Sequence, residues 1–233
     1  MFLINTKAKQ ITMKRLFFII SILLPLTAMA QNNWVRPADA APNTKEEQAA
    51  KKAKEKAEKP QKANKDAKYL KGAVTEVDGK VQWTLDVDAP GKKADEIYNL
   101  VYDYLKKLTS SENQLTGSQI ALVNKEQHSI IATVKEWIDF KITLISHDRA
   151  ATSYVITVDC KDGHMKAILN RIVFDYTENM PGRDGIFKAE DWITDKEALN
   201  KNGTKLLPGC ARFRRKMCDR KDEVFNGLRN CLK

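Results

Sequence analysis

Apolar and polar residues alternate from Val81 to Val87, with Val81, Trp83, Leu85 and Val87 set against Gln82, Thr84 and Asp86. Seven residues later the repeat becomes that of a helix. From Ala94 to Leu108, residues Ile97, Leu100, Val101, Tyr104, Leu105 and Leu108 recur at a spacing of three and four. A period of two specifies a strand with one buried face, and a period of 3.6 specifies a helix with an apolar stripe. Such a strand must find neighbours in a sheet, and such a helix must lie on that sheet's buried face. This switch of period therefore points to a layered α+β domain.

The rest of the chain extends that reading. Val74–Val77, Asp78-Gly79 and Val81–Val87 form a hairpin or a long bent strand, ended by Ala89-Pro90-Gly91. In the helix, Asp95 and Glu96 suit the positive N-terminal end of the dipole, and Lys106 and Lys107 suit the C-terminal end. Strands are expected at Ile120–Val123, Ile130–Ile138, Tyr154–Val158 and Met165–Tyr176, with Phe140–Ile145 extending the second or starting another. Lys161-Asp162-Gly163 is a hairpin turn, since Gly accepts a positive φ. Ile168, Ile172 and Phe174 are expected to share one face of the last strand. Residues 179–191, with Pro181, Gly182 and Gly185, read as a loop; a short helix near Asp195–Lys201 follows, and Pro208 opens a helix to about Leu232. The predicted order is β(β)-α-β-β-β-β-α: an antiparallel sheet of about five strands with two main helices packed on one face.

Ahead of this domain, occupying residues 69–233, lie two segments of different character. Lys14 and Arg15 precede an apolar run from Leu16 to Leu26, and Ala28-Met29-Ala30 places small residues where signal peptidase needs them. The run is shorter than the roughly 20 residues that span a bilayer. Residues 1–30 are thus expected to be a cleaved signal peptide, with Met13 as the true start and a periplasmic or secreted product. No Cys stands at the cleavage site to carry a lipid, and no transmembrane segment is expected after cleavage. Residues 31–68, rich in Lys, Ala and Glu, read as a partly helical linker.

Several features together resemble one family: the exported head, the Ala/Lys-rich spacer, the opening strand, the Asp95-Glu96-Ile97-Tyr98 helix start and the Lys161-Asp162-Gly163 hairpin. They are similar to domain-of-unknown-function 4468, found in exported proteins of Bacteroidales, over about residues 72–180. The resemblance implies a TATA-binding-protein-like (TBP-like) fold and a habitat; the family carries no established activity, and the fold name does not import DNA binding.

Charge argues in the same direction. The formal net charge is +10, but four of the cations lie in residues 1–30, and residues 69–204 carry 17 Lys/Arg against 21 Asp/Glu. A mildly acidic body in an exported chain is a poor nucleic-acid binder. The densest basic run is on the C-terminal helix, where Arg212, Arg214, Arg215, Lys216, Arg220 and Lys221 form either a solvated outer face or a contact for an anionic partner.

In an oxidising compartment Cys160, Cys210, Cys218 and Cys231 could form disulfides. Cys210 and Cys218 on one straight helix would lie roughly 12 Å apart, too far to bridge. A bridge would join Cys160 to a helical Cys or need a helix break near Arg220; otherwise the thiols are core residues.

Residues suited to catalysis are sparse. Ser146-His147-Asp148-Arg149 has triad residue types, but neighbours on an extended chain point apart. Asp159, Cys160, Asp162 and His164 flank one turn and could hold a metal only if they converged. Asp86/Asp88 and Glu190/Asp191 read as solvated acidic pairs. Nucleotide-binding and serine-hydrolase motifs are missing from the chain, and no cofactor or metal is implied. The reading that follows is a non-catalytic binding or protein-interaction module of the cell envelope, meeting another envelope protein or an anionic envelope component. Its contact surface is either the basic helix or an open sheet face near Trp137 and Phe140. The alternative is an envelope hydrolase acting on glycans or peptides.

Overall fold

A computed structural model describes residues 64–145, 147–179 and 185–233. Residues 1–30, expected to be a signal peptide, and residues 31–63 of the expected linker lie outside the described residues. Seven strands and three helices are described: β1 (Glu76–Val77), β2 (Lys80–Asp88), α1 (Ala94–Thr109), β3 (Gln119–Asn124), β4 (Ser129–Ile142), β5 (His147–Lys161), β6 (His164–Asp175), β7 (Ile186–Lys188), α2 (Asp195–Ala198) and α3 (Pro208–Cys231). The sheet is antiparallel, ordered β1-β2-β6-β5-β4-β3, with β7 also paired to β6. Five strands carry it, while β1 and β7 are two and three residues long. β7 forms where the sequence reads as a loop.

The topology follows from one connection. β2 and β3 are consecutive strands separated by β6, β5 and β4 in the sheet, and α1 joins them. Sixteen residues of helix span about 24 Å, and five strands at about 4.8 Å spacing are about 19 Å across. α1 is therefore long enough to cross the whole face it covers. Ile97, Tyr98, Val101 and Leu105 are buried against the sheet. The helix takes its N-terminal cap from the β5–β6 turn: Asp162 Oδ1 accepts the Ala94 N–H at 2.9 Å, and Oδ2 pairs with Lys93 at 2.9 Å. The Lys93 bond, then the Ala94 N–H, hold the Asp162 carboxyl below its ordinary pKa.

α3 lies beside α1 on the same face. Phe213, Met217, Val224 and Leu228 are buried as their spacing predicts, joined by Ala211, Arg214, Cys218 and Phe225. The helices cross at Gly227, where a Cβ would stand 2.3 Å from Tyr104 Oη. Toward the N-terminal end of α3, Phe213 packs against Phe140, Phe174, Tyr176, Phe187 and Trp192. Phe140 thus belongs to the helix side of the sheet, and it leaves the open face to Trp137, on whose ring the Arg149 guanidinium stacks at 3.8 Å.

Register shifts occur at Ile120/Leu122, Asp139/Lys141 and Ser153/Val155, and the last changes the core parity of β6. Met165, Ala167 and Leu169 face the core, as do Ile172, Phe174 and Tyr176, so parity changes between Leu169 and Ile172 and Ile168 turns to the open face. The cause is a β-bulge: Ser153 pairs Val173 and Val155 pairs Asn170, which inserts one extra residue into β6. Arg171 takes φ +55° there. The left-handed region costs a residue with a Cβ roughly 1–2 kcal/mol, and packing on both sides of the bulge must offset it.

Candidate functional site

The six basic side chains of α3 go to different places. Arg214 is a core residue with no exposed surface, so it is not a surface contact. It donates to the carbonyls of Tyr69, Leu70 and Ile193 and to Asp195 Oδ1 at 2.6–2.8 Å. A helix-wheel reading misses this because the acceptors lie on segments up to 145 residues away. Arg212 pairs with Asp148 at 2.7 Å and lies over the rings of Phe140, Tyr176 and Phe213. Arg215 forms a two-pronged bond to Asp66 at 2.6 and 2.8 Å, which holds the Asp66 carboxyl below its ordinary range. Lys68 pairs with Asp219 at 2.6 Å, so residues 66 and 68, spacer-like in composition, are bonded to α3. Lys221 pairs with its neighbour Asp222. Only Lys216 of the six is exposed and without an ion-pair partner among the described residues.

Arg220 and Lys216 line an open cleft of about 280 Å³ between α3 and β4, with Asn113, the stretch Trp137–Asp139, and Glu223. Its floor is Glu136, 1% exposed. Glu136 stands on β4 between Val134 and Ile138 at core parity, and it is fully bonded there. Oε1 accepts from Tyr154 Oη and Arg220 Nε, both at 2.7 Å; Oε2 accepts from Gln114 Nε2 at 2.7 Å and Arg220 Nη2 at 2.8 Å. Burial, then the Glu136 charge, push the Tyr154 hydroxyl well above its ordinary pKa. Burial opposes the Arg220 charge, but the bonds and charge of Glu136, together with Tyr154 and Glu223, outweigh it and raise its pKa. Sequence reasoning missed Glu136; an ionisable residue at core parity in an alternating strand was the signal, since such a group is buried only with partners.

Other chemistry-bearing residues do not converge. His147 bonds Asp139 at 2.7 Å, Asp148 accepts from Tyr176 and Arg212, and Arg149 pairs with Glu178. His147, Asp148 and Arg149 thus each have a partner of their own, and Ser146 lies outside the described residues. His164 sits between Asp86 and Asp88 at 3.3 and 3.2 Å, Asp162 caps α1, and Cys160 is in the core. The Asp159–His164 turn therefore does not gather into a ligand set, and no group of three His, Cys, Asp or Glu suited to a metal exists among the described residues. All four cysteines are free in this structure. α3 runs unbroken through Arg220, and Cys160 and Cys218 are packed as core thiols. No helix among the described residues is long and apolar enough to cross a membrane.

The geometry has close relatives. Residues 83–175 match a family described as a domain of unknown function (DUF4468) with TBP-like fold. The crystal structure of a DUF4468 family protein from Bacteroides ovatus is 37% identical, with a TM-score of 0.67, and the match covers 72% of this chain and 95% of that one. A TBP-like protein from Parabacteroides distasonis has the same fold at 19% identity and a TM-score of 0.56, covering 69% of this chain and 97% of that one. No curated protein matches the chain. The chain belongs to the DUF4468 family, a family of unknown function present in Bacteroidales, and has its α+β, TBP-like fold.

Proposed function

From membership of this family as premise, we propose that the protein is exported and acts in the cell envelope as a non-catalytic interaction module. On this reading it holds another envelope protein through the cleft between α3 and β4. The observation that carries the reading is the state of the charges around the cleft. Arg212, Arg215, Arg220 and Lys221 each hold a carboxylate of their own chain, and Arg214 is buried. An anionic membrane or polysaccharide would have to break those pairs. A protein side chain or short peptide would not: it meets an open recess of about 280 Å³ with Asn113, exposed Lys216 and carboxylates on its walls. Mixed charge and hydrogen-bonding groups of this kind give orientation and specificity more than bulk affinity.

A photo-crosslinking residue placed at Lys216 or Asn113, compared with one at Asp103 on α1, tests this in cells. The expected result is a discrete envelope-protein adduct from the cleft positions alone. Equal or absent adducts at all three positions would overturn the reading. Hydrolysis of envelope glycan or peptide by the purified protein would replace it with the hydrolase.

A further inference from the structure

The bulge in β6 opens a second recess, away from α3. β2 pairs with β6 only as far as Asn170, and β7 pairs with it only from Val173. Arg171 and Ile172 therefore have no strand partner on that side among the described residues. The gap is the floor of a recess of about 520 Å³. Its walls are the β1–β2 hairpin, with Val77 and Lys80, and Lys188 at the end of β7.

Three details make this more than a seam in the sheet. Leu169 and Ile172 both face the core, so the bulge sends two successive side chains, Asn170 and Arg171, to the solvent side. Bulges re-aim side chains in this way. Secondly, the residue that takes the left-handed conformation is Arg171, where glycine would be free of strain; an outlier of that kind at a recess is a pointer to function. Thirdly, Arg171, Lys80 and Lys188 all line the recess, and none has an ion-pair partner among the described residues. Two acids share the wall, Glu190, whose Oε1 accepts the Val81 N–H at 3.0 Å, and Asp78 in the β1–β2 turn, so the lining holds three cations to two carboxylates.

We infer that this notch between β2 and β7 binds the oxyanion group, carboxylate or phosphate, of a small ligand. The guanidinium of Arg171 would take the oxyanion by its planar pair of N–H groups, with Lys80 and Lys188 adding charge. Val77 and Val173 would line an apolar stem. The inference is independent of the α3–β4 cleft.

Amide NMR titration of the full chain with inorganic phosphate, and separately with hexanoate, tests it. Saturable shifts at Arg171, Ile172 and Lys80 are expected with at least one probe. Phosphate alone would identify a phosphate ester, while hexanoate binding as well or better would identify a carboxylate on an apolar chain. Arg171→Gly removes the cation and the strain together, so it should melt at the same or a higher temperature and bind at least tenfold more weakly. Lys80→Ala with Lys188→Ala should weaken binding severalfold. No saturable shift with either probe, or equal binding by Arg171→Gly, overturns the inference.

Discussion

Arg220 on α3 and Glu136 on β4, 84 residues apart, meet as a bidentate pair: Nε lies 2.7 Å from Oε1 and Nη2 lies 2.8 Å from Oε2. The pair joins the helix layer to the sheet beneath the cleft. Removing one partner of a buried pair leaves a charge without compensation, at about 3–5 kcal/mol. Arg220→Met should therefore destabilise the protein by about that amount in urea unfolding. Glu136→Gln keeps acceptor and donor for Tyr154 and Gln114 while removing the charge, so adding it to Arg220→Met should recover part of the loss. A double variant less stable than Arg220→Met alone would show that the pair is not what is being measured.

The crossing of α1 and α3 depends on a missing side chain. An alanine inside a helix is ordinarily better than glycine by about 1 kcal/mol, yet a Cβ at Gly227 would lie 2.3–2.5 Å from the Tyr104 ring and hydroxyl. Gly227→Ala should lower stability by about 1–3 kcal/mol, and Tyr104→Val in the same chain should remove most of that penalty. Thermal melts of the single and double variants decide it.

Buried thiols set an alkaline limit. Burial, aided by the Asp159 charge, pushes Cys160 from 9.0 up to about 12, and burial pushes Cys218 and Cys231 up to about 11. The unfolded chain releases these protons first. Their contribution to stability is complete below about pH 9 and is lost as pH rises toward 11–12. Each thiol adds a slope of about 1.4 kcal/mol per pH unit inside that window. Cys160→Val should flatten the decline in unfolding free energy between pH 9 and 11. The native protein at pH 8 should react slowly at Cys160 with a thiol reagent, and the unfolded protein should titrate four free thiols.

The proposed export makes a prediction at the N-terminus. Intact mass of the protein recovered from the periplasm or medium should correspond to a chain beginning at Gln31, cut after Ala30. Replacing Ala28 and Ala30 with larger residues should leave an uncut precursor in the membrane fraction. Recovery of a chain beginning at Met1 from the cytosol would end the envelope reading.

The residues adjoining the linker are tied to the domain in a way that composition hides. Asp66 and Lys68 sit in a Lys/Ala-rich stretch, but each meets α3, at Arg215 and Asp219. Side chains alone do not reveal such pairs, because any Asp in a polar stretch looks solvated. Ala94–Thr109 and Pro208–Cys231, by contrast, were legible almost to the residue. Their signal is a local repeat, strengthened by Pro208 at the start of the second.

What the amino-acid order determined by itself was the two periods, the Asp78-Gly79 and Asp162-Gly163 turns, and hence an antiparallel sheet covered by two helices. Those features depend on neighbours within a few residues, so the chain states them locally. The tertiary structure alone decided which charges are spent. It buried Arg214 beneath carbonyls that no periodicity locates, set Glu136 against Arg220, and shifted β6 by one residue at Arg171 so that Ile168 and Ile172 fall on opposite faces. A buried charge is stable only when its partner arrives, and a bulge is set by the strands beside it. Both come from distant parts of the chain, and they separate the α3–β4 cleft and the β2–β7 notch from the solvated surface.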